Sequence, residues 1–268
     1  MALIDIKLFS VTLQTQMDIR VILPTPDANW TDPSCYDANK RYQVLYLLHG
    51  FTGDCTVWNR YSNIERYAQK HRLAVVCASV GNSFYADMIH GGRYRKYMLE
   101  ELPAFIRHTF PVSHRREDTF IAGISMGGYG AFRLALEKPE LFACAASLSG
   151  AVDVIALNKM FADQFDIFGD IFAPEELLPG SGNDLPALAA KLINQGCRIP
   201  RLYQCCGTED YLYQLNLSVR DRFQALDLDY TYDESAGMHD WDYWDAQICK
   251  VLDWLPLADD LVDAEEKK

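Results

Sequence analysis

The sequence predicts an α/β fold, with a mostly parallel central sheet, antiparallel strands at the N-terminal end and helices on both faces. Three observations support this fold class. Strand-like apolar runs alternate with helical segments, two central runs (VLYLL and LAVVCASV) are continuously apolar, and 49% of the 268 residues are hydrophobic. Continuously apolar strands are typical of parallel sheets covered on both faces. Strands that alternate with helices form right-handed crossovers in one such sheet.

The predicted elements follow in chain order. Strands are expected at 4–13, 18–23, 44–48, 73–80, 119–122, 145–148, 201–205 and 229–232. The first two would form an antiparallel pair. Helices are expected at 64–70, 96–108, 125–137, 214–226 and 241–255. Pro111 and Pro139 mark the ends of the second and third helices, because proline cannot continue a helix.

Residues 153–186 interrupt this alternation. The segment is rich in phenylalanine, glycine and proline and has no clear strand. Because long connections in α/β enzymes are often functional, we expect a small cap insertion here, within a single domain over residues 1–257. The alternative is a loop whose aromatic side chains pack on the body of the domain. Residues 258–268 are expected to form an acidic C-terminal tail that frays.

Charge and composition exclude several functional classes. Lys plus Arg is 25 and Asp plus Glu is 37, a net charge of −12 that phosphate backbones and anionic lipids repel. We therefore expect no nucleic-acid or membrane partner. Asp5 and Lys7 interrupt the apolar run that a signal peptide needs, and no stretch approaches the roughly 18 apolar residues of a membrane span, so a cytoplasmic location is predicted. The eight cysteines include no C-x-x-C pair, and neither a metal nor a cofactor is predicted.

The strongest chemical signal is a G-x-S-x-G pattern at residues 123–127. An apolar strand (TFIAGI) precedes the serine and a helical segment (YGAFRLALEK) follows it, which is the context of a nucleophile on a strand-to-helix turn. On such a turn Ser125 would project its hydroxyl outward, while Gly123 and Gly127 omit side chains that would collide. The alternative is a glycine-rich turn in which Ser125 only caps the helix. The flanking strand and helix favour a catalytic serine.

A serine nucleophile needs a base and an acid that orients the base. His239 is the only histidine after Ser125, and it lies in a loop between the last predicted strand and the last helix. Asp210 follows an apolar strand and is the predicted acid. Glu209 is the near alternative and Asp153 a more distant one. The order serine, acid, histidine is that of hydrolases with a nucleophile elbow.

Two backbone N–H groups are predicted to form an oxyanion hole. Met126 follows the nucleophile at the helix N-terminus, and its N–H is the first donor. The second is the N–H of Phe51, in a loop where Gly50 and Gly53 let the backbone approach a ligand. His49 in the same loop is expected to be a structural hydrogen-bonding residue rather than a base.

Together these segments resemble the esterase D-like branch of the α/β-hydrolases, and within it the tributyrin esterases most closely. The resemblance covers nearly the whole chain, in VLYLLHGFTGDCTVW, EELPAFIRHTFP, TFIAGISMGGYGAFRLAL, SLSGA, CCGTEDYLY and SAGMHDWDYW. It implies a carboxylesterase for short acyl esters, with Ser125, Asp210 and His239 as the triad and Phe51 and Met126 as oxyanion donors. It also favours a homo-oligomer.

The predicted reaction is two-step hydrolysis of a small-molecule ester through an acyl-enzyme. Aromatic residues are candidates for the wall of an apolar pocket, with ordinary core packing as the alternative for each: Trp58, Tyr129, Phe161, Phe165, Phe168 and Trp241. The same branch includes S-formylglutathione hydrolases, feruloyl and acetylxylan esterases, and mycolyltransferases. The first of these have a serine-glycine-leucine-threonine-cysteine run where this chain has HGFTGDC, which disfavours a thioester substrate. An acyltransferase would use the same triad, whereas an inactive binding protein would be expected to lose one of its members.

Overall fold

The computed structural model of the chain describes residues 1–28, 30–31, 33–161, 168–172, 174 and 177–264. The strands within these ranges are β1 (Ala2–Ser10), β2 (Thr15–Leu23), β3 (Lys40–Arg41), β4 (Val44–Leu48), β5 (Ala74–Ala78), β6 (Thr119–Ile124), β7 (Cys144–Leu148), β8 (Arg201–Gly207), β9 (Tyr230–Ser235) and β10 (Val262–Asp263). Each predicted strand is present, with ends that differ by a few residues.

Eight of these strands form one sheet in the order β1-β2-β5-β4-β6-β7-β8-β9. The first two strands pair antiparallel, and β2 pairs antiparallel with β5. All the other neighbours are parallel. The predicted fold class, a mostly parallel α/β sheet with antiparallel N-terminal strands, is therefore confirmed. Both β4 and β5 are buried along their whole length, as their continuously apolar sequences predict.

The helices within the described residues lie between these strands. They are α1 (Val57–Tyr61), α2 (Ile64–His71), α3 (Tyr94–Lys96), α4 (Leu102–Thr109), α5 (Met126–Glu137), α6 (Val154–Phe161), α7 (Phe168–Ile171), α8 (Leu185–Asn194), α9 (Tyr213–Gln224) and α10 (Trp241–Trp254). Short 3₁₀ turns occur at Pro33–Tyr36 and Arg116–Asp118. No helix in the described part of the chain is both long and apolar enough to cross a bilayer.

The helix predicted at 96–108 differs from a single regular helix. It begins at α3, widens into a π-helical turn at Tyr97–Glu101 and continues as α4. Pro103 has no N–H to donate, which interrupts the helical ladder at this point. The Glu101 carboxylate accepts hydrogen bonds from the backbone N–H groups of Val11 and Thr12. The wide turn therefore supports the connection between β1 and β2.

A hydrophobic core lies on each face of the sheet. Successive residues of β4 point to opposite faces, so Tyr46 belongs to one core and Leu45 to the other. On the first face Phe132 of α5 packs against Phe223 of α9 in an edge-to-face contact. On the second face the core includes Ile248 of α10. The helices thus cover both faces and leave the carboxyl ends of the parallel strands free to carry a site.

The prediction of a frayed tail is wrong for residues 258–264. The strand β10 pairs antiparallel with β3, and Leu261 is buried. Asp260 forms an ion pair with Arg72 at 2.9 Å, and the Ala258 N–H donates to Gln43. One apolar side chain and a short strand pairing are enough to hold this segment, which its acidic composition does not reveal.

The described parts of residues 153–186, where the sequence predicts a small cap insertion, include short helices that the sequence did not predict. The described part contains α6 and α7 and reaches the start of α8. The Asp153 carboxylate accepts the Ala156 N–H at the beginning of α6. Asp184 likewise accepts the Ala187 N–H and caps α8. These helices were missed because closely spaced glycines and prolines hide the helical period of the segment.

Candidate active site

Ser125 lies on a sharp turn between β6 and α5. Its backbone has φ 53° and ψ −119°, a conformation that costs a non-glycine residue about 1–3 kcal/mol. Hydrogen bonds on both sides hold it there. The Ser125 N–H donates to the Leu148 carbonyl, and the Ser125 carbonyl accepts from Gly128, Tyr129 and Ala151. The fold thus imposes the strained turn that the sequence pattern predicts.

The two glycines of the pattern are required by close backbone approaches. A Cβ on Gly123 would lie 2.4 Å from the Gly127 carbonyl oxygen. A Cβ on Gly127 would lie 2.6 Å from the carbonyl oxygen of His49 and 2.7 Å from that of Leu48. Both obstacles are backbone atoms, which cannot rotate away. The glycines therefore let β4, β6 and α5 meet closely enough to form the turn.

Replacing Gly123 with alanine is expected to lower the free energy of unfolding by about 3 kcal/mol or more, because the backbone must shift to admit the methyl group. Urea denaturation measures this loss. Gly169→Ala is the matched control, since a Cβ at Gly169 would meet nothing within 4 Å. Equal stability of the two variants would contradict the steric explanation.

The structure brings Ser125, His239 and Asp210 together as one hydrogen-bonded chain. His239 Nε2 lies 3.0 Å from Ser125 Oγ, and His239 Nδ1 lies 2.8 Å from Asp210 Oδ2. The Asp210 side chain is fully buried, and its other oxygen accepts the Leu212 N–H at 2.8 Å. With Nδ1–H donating to the carboxylate, Nε2 is free to accept the serine proton. This arrangement can generate a serine nucleophile.

The loop that carries His239 is held by short backbone contacts. A Cβ on Gly207, at the end of β8, would lie 2.2 Å from the Gly237 carbonyl oxygen, and Gly237 itself has φ +156°. The imidazole packs against two rings, with its centroid 4.6 Å from that of Tyr211 and 4.9 Å from that of Trp244. Two glycines and two aromatic rings therefore fix the direction of the histidine.

The alternative acids lie elsewhere. The Glu209 carboxylate accepts the Gly237 N–H, and this hydrogen bond lowers the pKa of the carboxyl group. Asp153 caps the start of α6. Of the three carboxylates considered, Asp210 is the one at hydrogen-bonding distance from His239, whereas Glu209 supports the loop that carries it.

The predicted oxyanion donors lie beside Ser125. Met126 is the first residue of α5, and an N–H at this position has no partner within the helix. A Cβ on Gly50 would lie only 3.4 Å from Ser125 Cβ, so the loop that contains Phe51 passes directly along the serine. The next residue, Thr52, has φ 64° and donates its N–H to the side chain of Asn82. The helix N-terminus and this loop can together receive developing negative charge.

His49 fixes the same loop. Its Nδ1 lies 2.8 Å from the Gly50 carbonyl oxygen, and its Nε2 accepts the Val80 N–H at 3.1 Å. Burial lowers the pKa of this imidazole, which keeps it neutral with Nδ1 as the donor. His49 is thus a structural hydrogen-bonding residue, as the sequence predicts.

The lowered pKa of His49 predicts a loss of stability in acid. The unfolded chain takes up the proton more readily than the folded chain, so the free energy of unfolding falls as the pH drops below the ordinary value of 6.5. His49→Gln is expected to cost about 1–3 kcal/mol at neutral pH through lost buried hydrogen bonds, and this deficit should narrow at pH 5.5. Urea denaturation at both pH values tests this. The exposed His114 provides the control variant His114→Gln, and a His49→Gln deficit that does not narrow would contradict the assignment.

Ser125 lies at the junction of two cavities. The apolar chamber has a volume of about 330 Å³, and its wall includes Phe84, Ala151, Leu157, Phe161, Phe168 and Leu212. The polar chamber has a volume of about 450 Å³, and its wall includes Thr52, Asp54, Arg60, Tyr61, His239 and Trp241. Ser125, Phe51 and Tyr211 line both chambers.

The predicted pocket residues divide into three groups. Phe161 and Phe168 line the apolar chamber and Trp241 lines the polar one. The prediction is corrected for Trp58 and Tyr129, because both side chains are fully buried and lie outside the chamber walls. Trp58 donates its indole N–H to the Leu48 carbonyl, and Tyr129 packs edge to face on two core phenylalanines. Phe165 lies outside the described residues.

Sequence reasoning missed Phe84, Leu157 and Tyr211. Tyr211 directly follows the predicted acid Asp210, so the motif could have predicted that Tyr211 lies beside the serine. Phe84 belongs to none of the motifs identified in the sequence; its backbone is left-handed (φ 51°) and its ring lines the apolar chamber. Leu157 belongs to a helix that the sequence did not predict.

Comparisons with known proteins agree with this geometry. The model of the family described as "Putative esterase" matches residues 10–255. The acetyl esterase of Caldicellulosiruptor saccharolyticus is 31% identical over 267 residues, which are 97% of this chain and 100% of that protein. FphF, a fluorophosphonate-binding serine hydrolase of Staphylococcus aureus, is 35% identical with a TM-score of 0.86 over 95% of this chain and 98% of its own. The S-formylglutathione hydrolase FrmB of the same organism is also 35% identical, with a TM-score of 0.83 and the same coverage.

Proposed function

The chain belongs to the esterase family whose model matches residues 10–255, and on this premise we propose that it is a serine carboxylesterase for short acyl esters. The observation that carries the proposal is the hydrogen-bonded chain from Ser125 through His239 to Asp210, with distances of 3.0 and 2.8 Å. The acetyl esterase relative supports a short acyl group.

In the proposed mechanism His239 first accepts a proton from Ser125 and then donates it to the leaving group. Ser125 Oγ attacks the ester carbonyl carbon while Nε2 takes the serine proton, and the N–H groups of Phe51 and Met126 hold the oxyanion. The tetrahedral intermediate then expels the alcohol, which leaves with the proton from Nε2. A water molecule activated by the same nitrogen releases the acid. Loss of one oxyanion donor typically costs about 3–4 kcal/mol of barrier.

The two chambers determine the orientation in which the substrate binds. The group that receives the proton from His239 must leave on the side of the imidazole, and His239 lines the polar chamber. The leaving group therefore occupies the polar chamber, and the acyl chain occupies the apolar one. In this proposal α6 and α7 act as a cap, because they supply Leu157, Phe161 and Phe168 to the apolar wall.

The size of the apolar chamber sets the expected acyl preference. Each buried CH₂ stabilises the transition state by about 0.8 kcal/mol, or about fourfold in kcat/KM, until the chain reaches the end of the chamber. We expect p-nitrophenyl esters to be hydrolysed fastest with short chains and poorly at about twelve carbons. Leu157→Ala should move the optimum to longer chains and leave acetate hydrolysis nearly unchanged. A dodecanoate faster than butyrate would contradict the proposal.

Thioester hydrolysis is the second candidate function. The S-formylglutathione hydrolase relative is 35% identical, and the polar chamber holds the exposed charges of Asp54 and Arg60, which suit a charged, polar leaving group. Assays of S-formylglutathione and the ester series on one preparation separate the two. A kcat/KM for the thioester that is well above that of the best ester would replace the carboxylesterase proposal.

A further inference from the structure

The strand β1 forms one edge of the eight-stranded sheet. It pairs with β2 without interruption from Ala2 to Ser10, and it contains no proline. Edge strands expose N–H and C=O groups that can pair with another chain, and proteins usually blunt them with short length, bulges, prolines or charges. Of these devices β1 has only two charges, Asp5 and Lys7. Its last residue, Ser10, is buried, so the uninterrupted stretch from Ala2 to Phe9 is the available pairing surface.

The side chains of β1 alternate between two environments. Ile4, Ile6 and Leu8 are partly buried and pack against the core. Leu3 and Phe9 point outward and are 43% and 51% exposed. The first eleven residues carry four of the eleven large hydrophobic side chains that are exposed in the described part of the chain. The edge is therefore apolar at both ends and charged in the middle.

We propose that two copies of this chain pair antiparallel through β1, about a twofold axis at Ile6. This axis lies at the middle of the strand, so the seven residues from Leu3 to Phe9 find a partner, while the buried Ser10 stays outside the pairing. On the outer face, Leu3 would lie opposite Phe9 of the second copy, and Asp5 opposite its Lys7. Apolar residues meet apolar residues and opposite charges meet. A twofold interface must be self-complementary in this way.

Other registers lose this complementarity. An axis at Asp5 or at Lys7 would place identical charges directly opposite each other. An axis between two residues would place outward side chains opposite inward ones, because the faces alternate along a strand. An axis at Ile4 or at Leu8 would shorten the pairing to five residues or fewer and leave the charges against apolar side chains. The sequence of β1 thus selects the axis at Ile6.

The neighbouring strand continues the charge pattern. Asp5 forms an ion pair with Arg20 at 2.6 Å, and Lys7 forms one with Asp18 at 2.5 Å. In the proposed pair, charges of alternating sign would follow one another across the interface. Their order would be Arg20, Asp5, Lys7 of the second copy and Asp18 of the second copy. Each copy has a net charge of −12, which opposes association in general. The alternating charges at the edge attract each other locally and so oppose this overall repulsion.

Sedimentation analysis of the full chain tests the proposal. The wild type is expected at twice the 30.5 kDa mass of one chain at micromolar concentration. Asp5→Lys and Lys7→Asp each create two like-charge pairs across the axis, and each variant alone should self-associate about tenfold or more weakly than wild type. An equimolar mixture of the two should regain the dimer, because their edges are then complementary. Unchanged p-nitrophenyl acetate hydrolysis verifies that both variants are folded.

Cross-linking then tests the register. In a Cys197→Ser background, which removes the exposed native thiol, an oxidised mixture of Asp5→Cys and Lys7→Cys chains should form a disulfide-linked dimer. Either variant alone should not, since its two thiols would be offset by two residues, about 7 Å along the strand and beyond disulfide reach. A monomeric wild type overturns the proposal. So does a dimer that resists both charge substitutions and shows no cross-link in the mixture, since its interface lies elsewhere.

Discussion

Replacing Ser125 with alanine is expected to lower kcat for p-nitrophenyl butyrate by a factor of about 10⁴ to 10⁶, with the fold retained. Without Oγ no acyl-enzyme can form, and His239 has no hydroxyl to deprotonate. The residual rate would come from binding and the oxyanion donors alone. Steady-state kinetics measure the loss, and a fluorophosphonate probe followed by intact mass should give one adduct on the wild type and none on the variant.

Ser149→Ala is the matched control for this experiment. Ser149 is also a buried serine in a left-handed conformation (φ 46°) after a parallel strand, but its hydroxyl does not bond to His239. We expect its activity to stay within a few-fold of wild type and its labelling to be complete. A Ser125→Ala variant that keeps more than a tenth of the activity, or a label mapped to another residue, would exclude Ser125 as the nucleophile.

The fold and the central site were predictable because they depend on local rules. Continuously apolar strands predict a parallel sheet, and the carboxyl ends of parallel strands meet at one edge. Ser125, Asp210 and His239 each follow a strand, so parallel pairing of these strands places all three at the same edge of the sheet. The residue types then limit which of them can serve as nucleophile, acid and base.

The walls of the chambers were not predictable in the same way. Trp58 and Tyr129 lie next to the motifs in sequence, but tertiary packing buries their rings and satisfies their polar atoms. Leu157 lines the apolar chamber from a helix hidden by irregular composition. The anchored C-terminal strand β10 depends on pairing with a segment more than 200 residues away. Such features depend on long-range contacts, which local periodicity does not encode.

Asp210→Asn is the second substitution with a large expected effect, a fall in kcat of about 10⁴-fold with the structure preserved. The aspartate accepts His239 Nδ1–H and so leaves Nε2 unprotonated toward Ser125. An asparagine amide can instead donate to Nδ1, which favours the tautomer with the proton on the wrong nitrogen. The Asp210 side chain is fully buried, so water cannot replace its charge when the imidazolium forms. Kinetics across the ester series and urea denaturation together separate lost catalysis from lost stability.

Glu209→Gln is the control that makes this experiment decisive. The Glu209 carboxylate accepts a hydrogen bond from the Gly237 N–H, and a glutamine oxygen can accept the same hydrogen bond. Its charge is fully exposed to solvent, which screens it from the imidazole. We therefore expect Glu209→Gln to change kcat by no more than about threefold, because only a charged oxygen in contact with the imidazole stabilises the imidazolium strongly. The reverse pattern, an active Asp210→Asn and an inactive Glu209→Gln, would assign the acid to Glu209 and require the His239 loop to turn.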